Sequence, residues 1–223
     1  MKTIISLGGS LIIPEEIDHT FLKQFKELIN KQIKKGNSFV IYCGGGSLAR
    51  RYQDSAKKIT SLDNEELDWL GINATILNAN LIKTIFKSNA EENIVIDPTK
   101  KISPKKPVLV AAGWKPGWST DYDAVLLAKN LNIRSVINMT NVDYVYDKNP
   151  KEHKDAKPIK QTTWGEFRKL VGDEWTAGLN MPFDPIAAKE SEKLNLNVTI
   201  IGKDIDNLEK VLENKEFKGT KIR

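Results

Sequence analysis

Glycine clusters follow three apolar segments of this 223-residue chain. They are Gly8-Gly9-Ser10, Gly44-Gly45-Gly46-Ser47 and a longer stretch, residues 112–120, that contains Gly113 and Gly117. Glycine allows tight turns and lets a ligand approach the main chain closely. Free N–H groups at the start of a following helix attract anions. Three such turns on one sheet therefore predict a site that holds phosphate groups.

Four charged residues could act on phosphates held there. Arg50 follows Gly46 by four residues, so its guanidinium could bind a phosphate bidentately, although a solvent-exposed charge is the alternative. Asp121 and Asp184 each precede or open a predicted helix, where an acid can also serve as a cap or dipole partner. Asp68 lies in a predicted helix, and its alternative is a solvated helix face.

Several common sites are excluded by the motifs that the sequence lacks. Neither G-x-x-x-x-G-K-[ST] nor G-x-G-x-x-G occurs, so a P-loop and a dinucleotide-binding turn are not expected. The single cysteine, Cys43, and the two histidines, His19 and His153, exclude a Cys/His zinc cage within one chain. The histidines have no spacing that suggests a site, and no Ser/His/Asp set is evident.

Short Val- and Ile-rich segments that alternate with longer amphipathic ones must position these residues. The pattern predicts strands at 3–7, 39–43, 94–96, 108–112, 135–139 and 198–201. It predicts helices at 17–33, 47–59, 67–86, 121–131, 184–194 and 205–212. This alternation indicates an α/β fold with a mainly parallel sheet covered on both faces. Such sheets bind ligands at the carboxyl ends of their strands, where the glycine clusters lie.

Composition restricts the function further. The chain has 40% hydrophobic and 28% charged residues, and 34 Lys and Arg against 29 Asp and Glu give a net charge of +5. This composition is globular, and the length favours one unit over residues 1–223. No apolar run approaches the roughly 20 residues of a membrane span. The basic stretch 100–106 is interrupted by prolines and lacks aromatics, so no nucleic-acid groove is indicated. We expect a cytoplasmic protein.

Aromatic residues border two of the predicted loops. Trp114 and Trp118 flank the third glycine cluster, where they could stack on a ligand or act as a lid. Residues 141–150 are predicted to form a loop with aromatic and polar side chains, which could cover a nucleotide base or be a surface hairpin.

With these residues in place, the chain resembles the amino-acid kinase superfamily and, within it, UMP kinases of the archaeal type. The resemblance runs from end to end. Besides the first glycine cluster, it is carried by Gly44-Gly45-Gly46-Ser47-Leu48-Ala49-Arg50, Asp68 ahead of Gly71, Pro116-Gly117-Trp118-Ser119-Thr120-Asp121, Thr140-Asn141-Val142-Asp143 with Val145-Tyr146, and Asp184-Pro185-Ile186-Ala187-Ala188-Lys189.

The resemblance implies a three-layer α/β/α sandwich, with the acceptor on the N-terminal side (about 1–130) and ATP on the C-terminal side (about 131–223). It assigns catalytic roles to Arg50, Asp121 and Asp184. It assigns UMP to Gly45, Asp68, Lys115, Pro116, Gly117, Trp118, Ser119, Thr120 and Asp121. It assigns ATP and the transferred phosphate to Ser6, Leu7, Gly8, Gly9, Ser10, Gly46, Arg50, Thr140, Asn141, Tyr146 and Asn149. It also implies Mg²⁺ arriving with ATP, no dedicated metal site, and a homohexamer built from dimers.

Some positions depart from the pattern of that family. Ser6 stands where many superfamily members have a lysine, Tyr144 and Asn149 replace a usual glycine and aspartate, and Ala112 replaces a common second glycine. Two alternatives therefore stay open. One is another phosphate or small-acid kinase, such as an isopentenyl phosphate kinase. The other is a non-catalytic oligomer that binds nucleotides or oxyanions, like the molybdenum storage proteins.

Overall fold

The computed structural model describes residues 2–150, 152–172 and 182–223. The strands are β1 (Lys2–Leu7), β2 (Ser38–Cys43), β3 (Val108–Ala111), β4 (Ser135–Met139), β5 (Val145–Tyr146), β6 (Pro158–Ile159), β7 (Gln161–Thr162), β8 (Asn197–Ile201) and β9 (Thr220–Ile222). The helices are α1 (Gly9–Ile12), α2 (His19–Lys34), α3 (Gly46–Lys57), α4 (Asn64–Phe86), α5 (Thr120–Asn130), α6 (Trp164–Val171), α7 (Pro185–Lys193) and α8 (Ile205–Leu212). A 3₁₀ turn, Lys87–Asn89, follows α4.

The main sheet has seven strands in the order β3-β2-β1-β4-β8-β9-β7. The first five run parallel, and β9 pairs antiparallel with β8. The predicted mainly parallel sheet is confirmed. Because parallel strands end at the same edge, the turns after β3, β2, β1 and β4 follow one another in that order along the carboxyl edge.

Helices cover the sheet on both faces, so the predicted α/β/α sandwich is confirmed. Alternate residues of β1 belong to different cores: Ile5 and Leu7 pack with α2, α4 and α8, whereas Ile4 packs with α5, α6 and α7. All three are fully buried. Burial of each large aliphatic or aromatic side chain contributes roughly 1.5–3 kcal/mol, so these two layers hold the carboxyl edge rigidly in place.

Local signals fix where the helices around the site begin. In α4, Asp63 and Glu66 form a reciprocal capping box, in which each side chain accepts from the other residue's N–H. In α7, Asp184 is the N-cap and Pro185 is the first helical residue. These two features fix the position of the Asp184 side chain at the start of α7.

Some predicted elements were wrong. The strand expected at 94–96 is only an isolated bridge between Val95 and Ala111, because three apolar residues followed closely by Pro98, which has no N–H, cannot extend a ladder. The stretch 141–150 contains β5, which pairs antiparallel with β6 and so agrees with the hairpin alternative. Helices α1 and α6 and strands β6, β7 and β9 were not predicted. Within the described parts of the chain, no helix has the length and apolar character needed to cross a bilayer.

Candidate active site

The first two glycine turns lie side by side at the carboxyl edge. The N–H of Gly8 donates to the Met139 carbonyl at 2.9 Å, and the N–H of Gly44 donates to the Leu7 carbonyl at 3.0 Å. These bonds join the turns after β1 and β2 to the neighbouring strand ends. Ser10 lies in the short helix α1, directly beyond the first turn. The structure therefore brings the turn at residues 6–10 next to Gly46, and the resemblance assigns both to phosphate.

Backbone contact between these turns requires glycine. A Cβ atom at Gly9 would lie 2.4 Å from the Gly44 carbonyl oxygen, and one at Gly46 would lie 2.2 Å from the Gly9 carbonyl carbon. Gly46 also has a φ of +59°, which favours glycine. Helix α3 begins at Gly46, and the first N–H groups of a helix lack partners within it. The close packing thus places unpaired main-chain donors beside the first turn, as an anion site needs.

Asp121 lies at the centre of this edge. Its Oδ1 accepts from the Ser6 hydroxyl at 3.4 Å, and its Oδ2 accepts from the Asp184 N–H at 3.3 Å. Burial, with the nearby charge of Asp184, raises the pKa of Asp121 to about 7. The cap of α5 is Ser119, whose Oγ accepts from the Tyr122 N–H at 3.1 Å. Asp121 is therefore not the cap of α5, although it lies in the first turn of that helix, where the helix dipole favours an acid. Its carboxyl contacts Ser6 and Asp184.

The capping role that the sequence left open for Asp184 is confirmed, and its role in the active centre stays a prediction. Asp184 caps α7, since its Oδ1 accepts from the Ala187 N–H at 2.7 Å, and it also contacts Asp121 through its own N–H. Burial raises the pKa of Asp184, although the N–H groups of the helix oppose this. The two acids form a pair, and the contacts of the described residues give this pair no cationic partner.

The segment after β3, residues 112–119, is attached to the fold by side chains from two helices, α4 and α5, and we call it the acceptor loop. The Gly113 N–H donates to Thr75 Oγ1 at 2.8 Å, and the Gly117 N–H donates to Asp68 Oδ2 at 2.7 Å. The Trp114 N–H donates to Asp123 Oδ2 at 3.0 Å. Asp68 is therefore bound to the acceptor loop rather than lying on a solvated helix face.

Aromatic rings and one cation border the acceptor loop. The Trp118 ring stacks on Tyr122 with centroids 4.3 Å apart and planes at 17°. The Lys115 Nζ lies 4.1 Å from the centroid of Trp114 in a cation–π contact. Lys115 is exposed, while Pro116, Ser119 and Thr120 are partly buried. The loop thus presents an ammonium group and stacked rings next to the glycine turns.

A second open space lies beyond β4. It is a cavity of about 430 Å³ between the segment after β4, strand β5 and the end of α6. Its lining includes Thr140, Asn141, Tyr144, Tyr146, Asn149 and Pro182. The rings of Tyr144 and Tyr146 meet edge to face, with centroids 6.4 Å apart. All four residues that the sequence assigned to ATP in this region are therefore together.

Arg50 differs from Asp121 and Asp184 because its side chain makes no polar contact with the described residues of the site. It lies in the first turns of α3, close in sequence to Gly45 and Gly46, but it is exposed and forms no hydrogen bond or ion pair with the residues that the structure describes. Nor does the described part of the chain contain three or more His, Cys, Asp or Glu side chains grouped to hold a metal ion.

Four supporting residues were missed by the sequence analysis. Asn78 donates through Nδ2 to the Gly44 carbonyl at 2.8 Å, Thr75 holds Gly113, and Tyr42 and Asp123 lie under the acceptor loop. Two signals were present in the sequence. Tyr42 is the one hydroxyl-bearing residue of an otherwise apolar segment, and Asp123 precedes Ala124 and Val125 on the buried face of its helix.

Comparison with known proteins agrees with this geometry. The model of the amino acid kinase family matches residues 1–202. The uridylate kinase of Methanococcus aeolicus is 31% identical, with 96% of each chain covered. That of Methanocorpusculum labreanum is 33% identical, with 98% of this chain and 94% of that protein covered. The crystal structure of uridylate kinase from Archaeoglobus fulgidus superposes with a TM-score of 0.85 at 30% identity and covers 100% of both chains.

Proposed function

This chain belongs to the amino acid kinase family, and we propose that it is a UMP kinase, which transfers the γ-phosphoryl group of ATP to UMP to form UDP. The observation that carries the proposal is the order of features along the carboxyl edge. The acceptor loop after β3 comes first, the two glycine turns after β2 and β1 follow, and the cavity after β4 comes last. Two nucleotides bound at the ends of this row would have their phosphates over the glycine turns.

In this proposal the N-terminal side binds the acceptor. Gly45, the acceptor loop and Asp68 contact UMP, with the free Oδ1 of Asp68 available to the ribose while its Oδ2 holds Gly117. Lys115 supplies a positive charge at the loop, and Ser119 and Thr120 lead into α5. On the C-terminal side, Thr140, Asn141, Tyr146 and Asn149 border ATP in the cavity.

The chemistry needs no general base from the protein. A phosphate monoester has a second pKa near 6, so UMP is largely dianionic at pH 7 and is already a nucleophile. The barrier is the repulsion between two anions that must come within bonding distance. Catalysis is therefore positioning and charge neutralisation.

The main-chain N–H groups of the glycine turns and of the start of α3 supply much of the required positive field. Arg50 would turn its guanidinium onto the transferred phosphoryl group, which its present exposure leaves it free to do. Asp121 and Asp184 would orient the cationic groups around that phosphoryl group. In this proposal Mg²⁺ enters as part of the ATP complex and neutralises its phosphates.

Exposed apolar side chains support a homo-oligomer. On α4, Leu77 is 60% exposed and Trp69 is 45% exposed, and on α3 Tyr52 is 58% exposed. These two helices pack against each other, so the side chains form neighbouring parts of one surface. We propose that a second copy of the chain covers this surface and that the dimers assemble into a hexamer. The cytoplasmic location stays a prediction.

The deciding experiment is an acceptor screen with Mg·ATP. UMP-dependent ADP release, with UDP as the second product, supports the proposed function. ADP release with isopentenyl phosphate or another acceptor, but not with UMP, would assign the chain to a different phosphate kinase. Tight nucleotide binding with no ADP release for any acceptor would indicate the non-catalytic alternative.

A further inference from the structure

The carboxyl of Asp123 is buried beneath the acceptor loop. The residue is 0% exposed, on the face of α5 that also buries Ala124 and Val125. Its Oδ2 accepts from the Trp114 N–H at 3.0 Å, whereas Oδ1 is enclosed and has no hydrogen-bond partner among the described residues. A buried carboxylate oxygen without a donor is destabilising, because it has lost its hydration and gained no hydrogen bond. The ionised form of Asp123 therefore does not fit this environment.

Tyr42 supplies the missing partner if Asp123 carries a proton. The Tyr42 side chain is fully buried, and its hydroxyl lies within hydrogen-bonding reach of the Asp123 carboxyl. The one proton of this hydroxyl is donated to the Ala112 carbonyl at 2.5 Å. A hydroxyl oxygen can still accept a hydrogen bond. Protonated Asp123 would donate to that oxygen, whereas ionised Asp123 could accept from Tyr42 only if the hydroxyl gave up its bond to the Ala112 carbonyl.

We infer that Asp123 is held as a neutral carboxylic acid and is a positioning residue for the acceptor loop. The chain of hydrogen bonds runs from the Trp114 N–H to the Asp123 carboxyl, from its proton to Tyr42, and from Tyr42 to the Ala112 carbonyl. It thereby fixes both sides of Gly113, at the stem of the loop. The inference rests on the proposed function only for the identity of the acceptor that this loop binds.

The surrounding charges agree with a neutral acid. The titratable groups that face Asp123 are Tyr42 from β2, Asp121 from its own helix and Asp184 at the start of α7, and none of them is cationic. Burial is the largest cause that raises the pKa of Asp123, to about 7, and the two acids add to it, while the Trp114 N–H and Tyr42 oppose it. The proton is thus present below neutral pH and lost as the pH rises above it.

Three substitutions test this inference through the KM for UMP. In Asp123→Asn, the amide keeps an acceptor for the Trp114 N–H and gains a permanent donor for Tyr42, so we expect a KM within about threefold of wild type. Asp123→Ala and Tyr42→Phe each break the chain, so we expect a KM raised about tenfold with kcat changed less than threefold. A merely structural role would not favour the amide over alanine in this way.

The pH profile provides the second measurement. Between about pH 6 and pH 9, we expect the KM of the wild type to rise relative to that of Asp123→Asn as Asp123 loses its proton. Ionisation of UMP and of Asp121 occurs in both enzymes and cancels in the ratio. A constant ratio, or an Asp123→Asn variant as impaired as Asp123→Ala, would overturn the inference.

An activity-independent readout separates this inference from the proposed function. Infrared difference spectra should show the carbonyl stretch of protonated carboxylic acid in the wild type at neutral pH, and Asp123→Asn should lose the contribution of Asp123 to this band while that of Asp121 persists. If the wild type transfers no phosphate to UMP, the proposed function fails, and the loss of band intensity in Asp123→Asn still decides whether Asp123 is neutral. A band of equal intensity in the two folded proteins would refute the neutral acid.

Discussion

Replacing Asp121 by asparagine should have opposite effects on turnover and on stability. A side chain that capped α5 would stabilise the helix by about 1 kcal/mol, and its loss would destabilise the protein at every pH. The cap is instead Ser119, and Asp121 is an enclosed acid beside Asp184. Asp121→Asn should therefore fold normally, turn over at least about tenfold more slowly, and become more stable than the wild type as the pH rises.

The size of the stability effect follows from the pKa. The pKa of Asp121 is raised from 3.8 to about 7 in the folded protein, a shift of roughly 3 units, and each unit corresponds to about 1.36 kcal/mol. A raised acid pKa contributes stability that is complete below pH 3.8 and is lost as the pH rises through about 7. Between pH 3.8 and about pH 7, the free energy of unfolding of the wild type should therefore fall more than that of Asp121→Asn, by up to about 4 kcal/mol as an order of magnitude.

The assay combines urea unfolding at about pH 5 and about pH 8 with coupled detection of ADP release. Ser119→Ala is the matched control for stability, since it removes the actual cap and should cost about 1 kcal/mol at both pH values. The reasoning would be refuted by an Asp121→Asn variant that is destabilised equally at both pH values and keeps normal turnover.

Three further results are expected. Arg50→Ala should lower kcat/KM at least about tenfold, because it removes a contact to the transferred phosphoryl group. Arg51→Ala, at the adjacent exposed position, should leave kcat/KM unchanged. Equal activity of the two variants would exclude Arg50 from the mechanism. Gly46→Ala should lose far more stability and nucleotide affinity than Gly36→Ala. Both glycines have a positive φ, but only at position 46 would the new Cβ atom lie against backbone atoms. Thermal unfolding and equilibrium nucleotide binding measure the difference. Leu77→Glu should convert the oligomer to smaller species in light scattering, and an unchanged mass would show that the exposed face of α4 is not the contact between copies.

Period and composition were sufficient to predict the five parallel strands β1, β2, β3, β4 and β8 of the sheet and most of the helices. Strands such as β1 and β2 are continuous apolar runs that can only be buried, and the glycines that follow them mark the carboxyl edge. Strands β5, β6 and β7 have two residues each, too few for a period to be detected. Residues 94–96 had the right residue types, but tertiary context allowed only the single bridge at Val95.

The residues that face the candidate site could be predicted better than the residues that hold them. Asp121 and Asp184 follow recognisable turns, but the choice between cap and site residue depended on Ser119 being the closer cap of α5. Asn78 and Thr75 lie within the long helix α4, where polar residues at those positions are ordinary. Their role depends on how α4 is aligned against the second glycine turn and the acceptor loop. That alignment is a tertiary contact, and no local pattern in the sequence of one chain predicts it.

The proposed binding of phosphate by main-chain N–H groups explains how so much of the sequence can vary while the architecture persists. Every residue except proline carries a backbone N–H, so a phosphate site built from main-chain donors needs only a path of the chain that leaves the donors free. The requirement restricts side chains mainly by excluding them, as at Gly9 and Gly46, where no Cβ atom fits. Such a site permits two chains to share the fold at a TM-score of 0.85 when only 30% of their residues are identical. The same reasoning accounts for Ser6 at the end of β1. With no lysine there, its hydroxyl donates to Asp121. In the proposed function, the positive charge would come from the main chain, Arg50 and the cation that accompanies ATP.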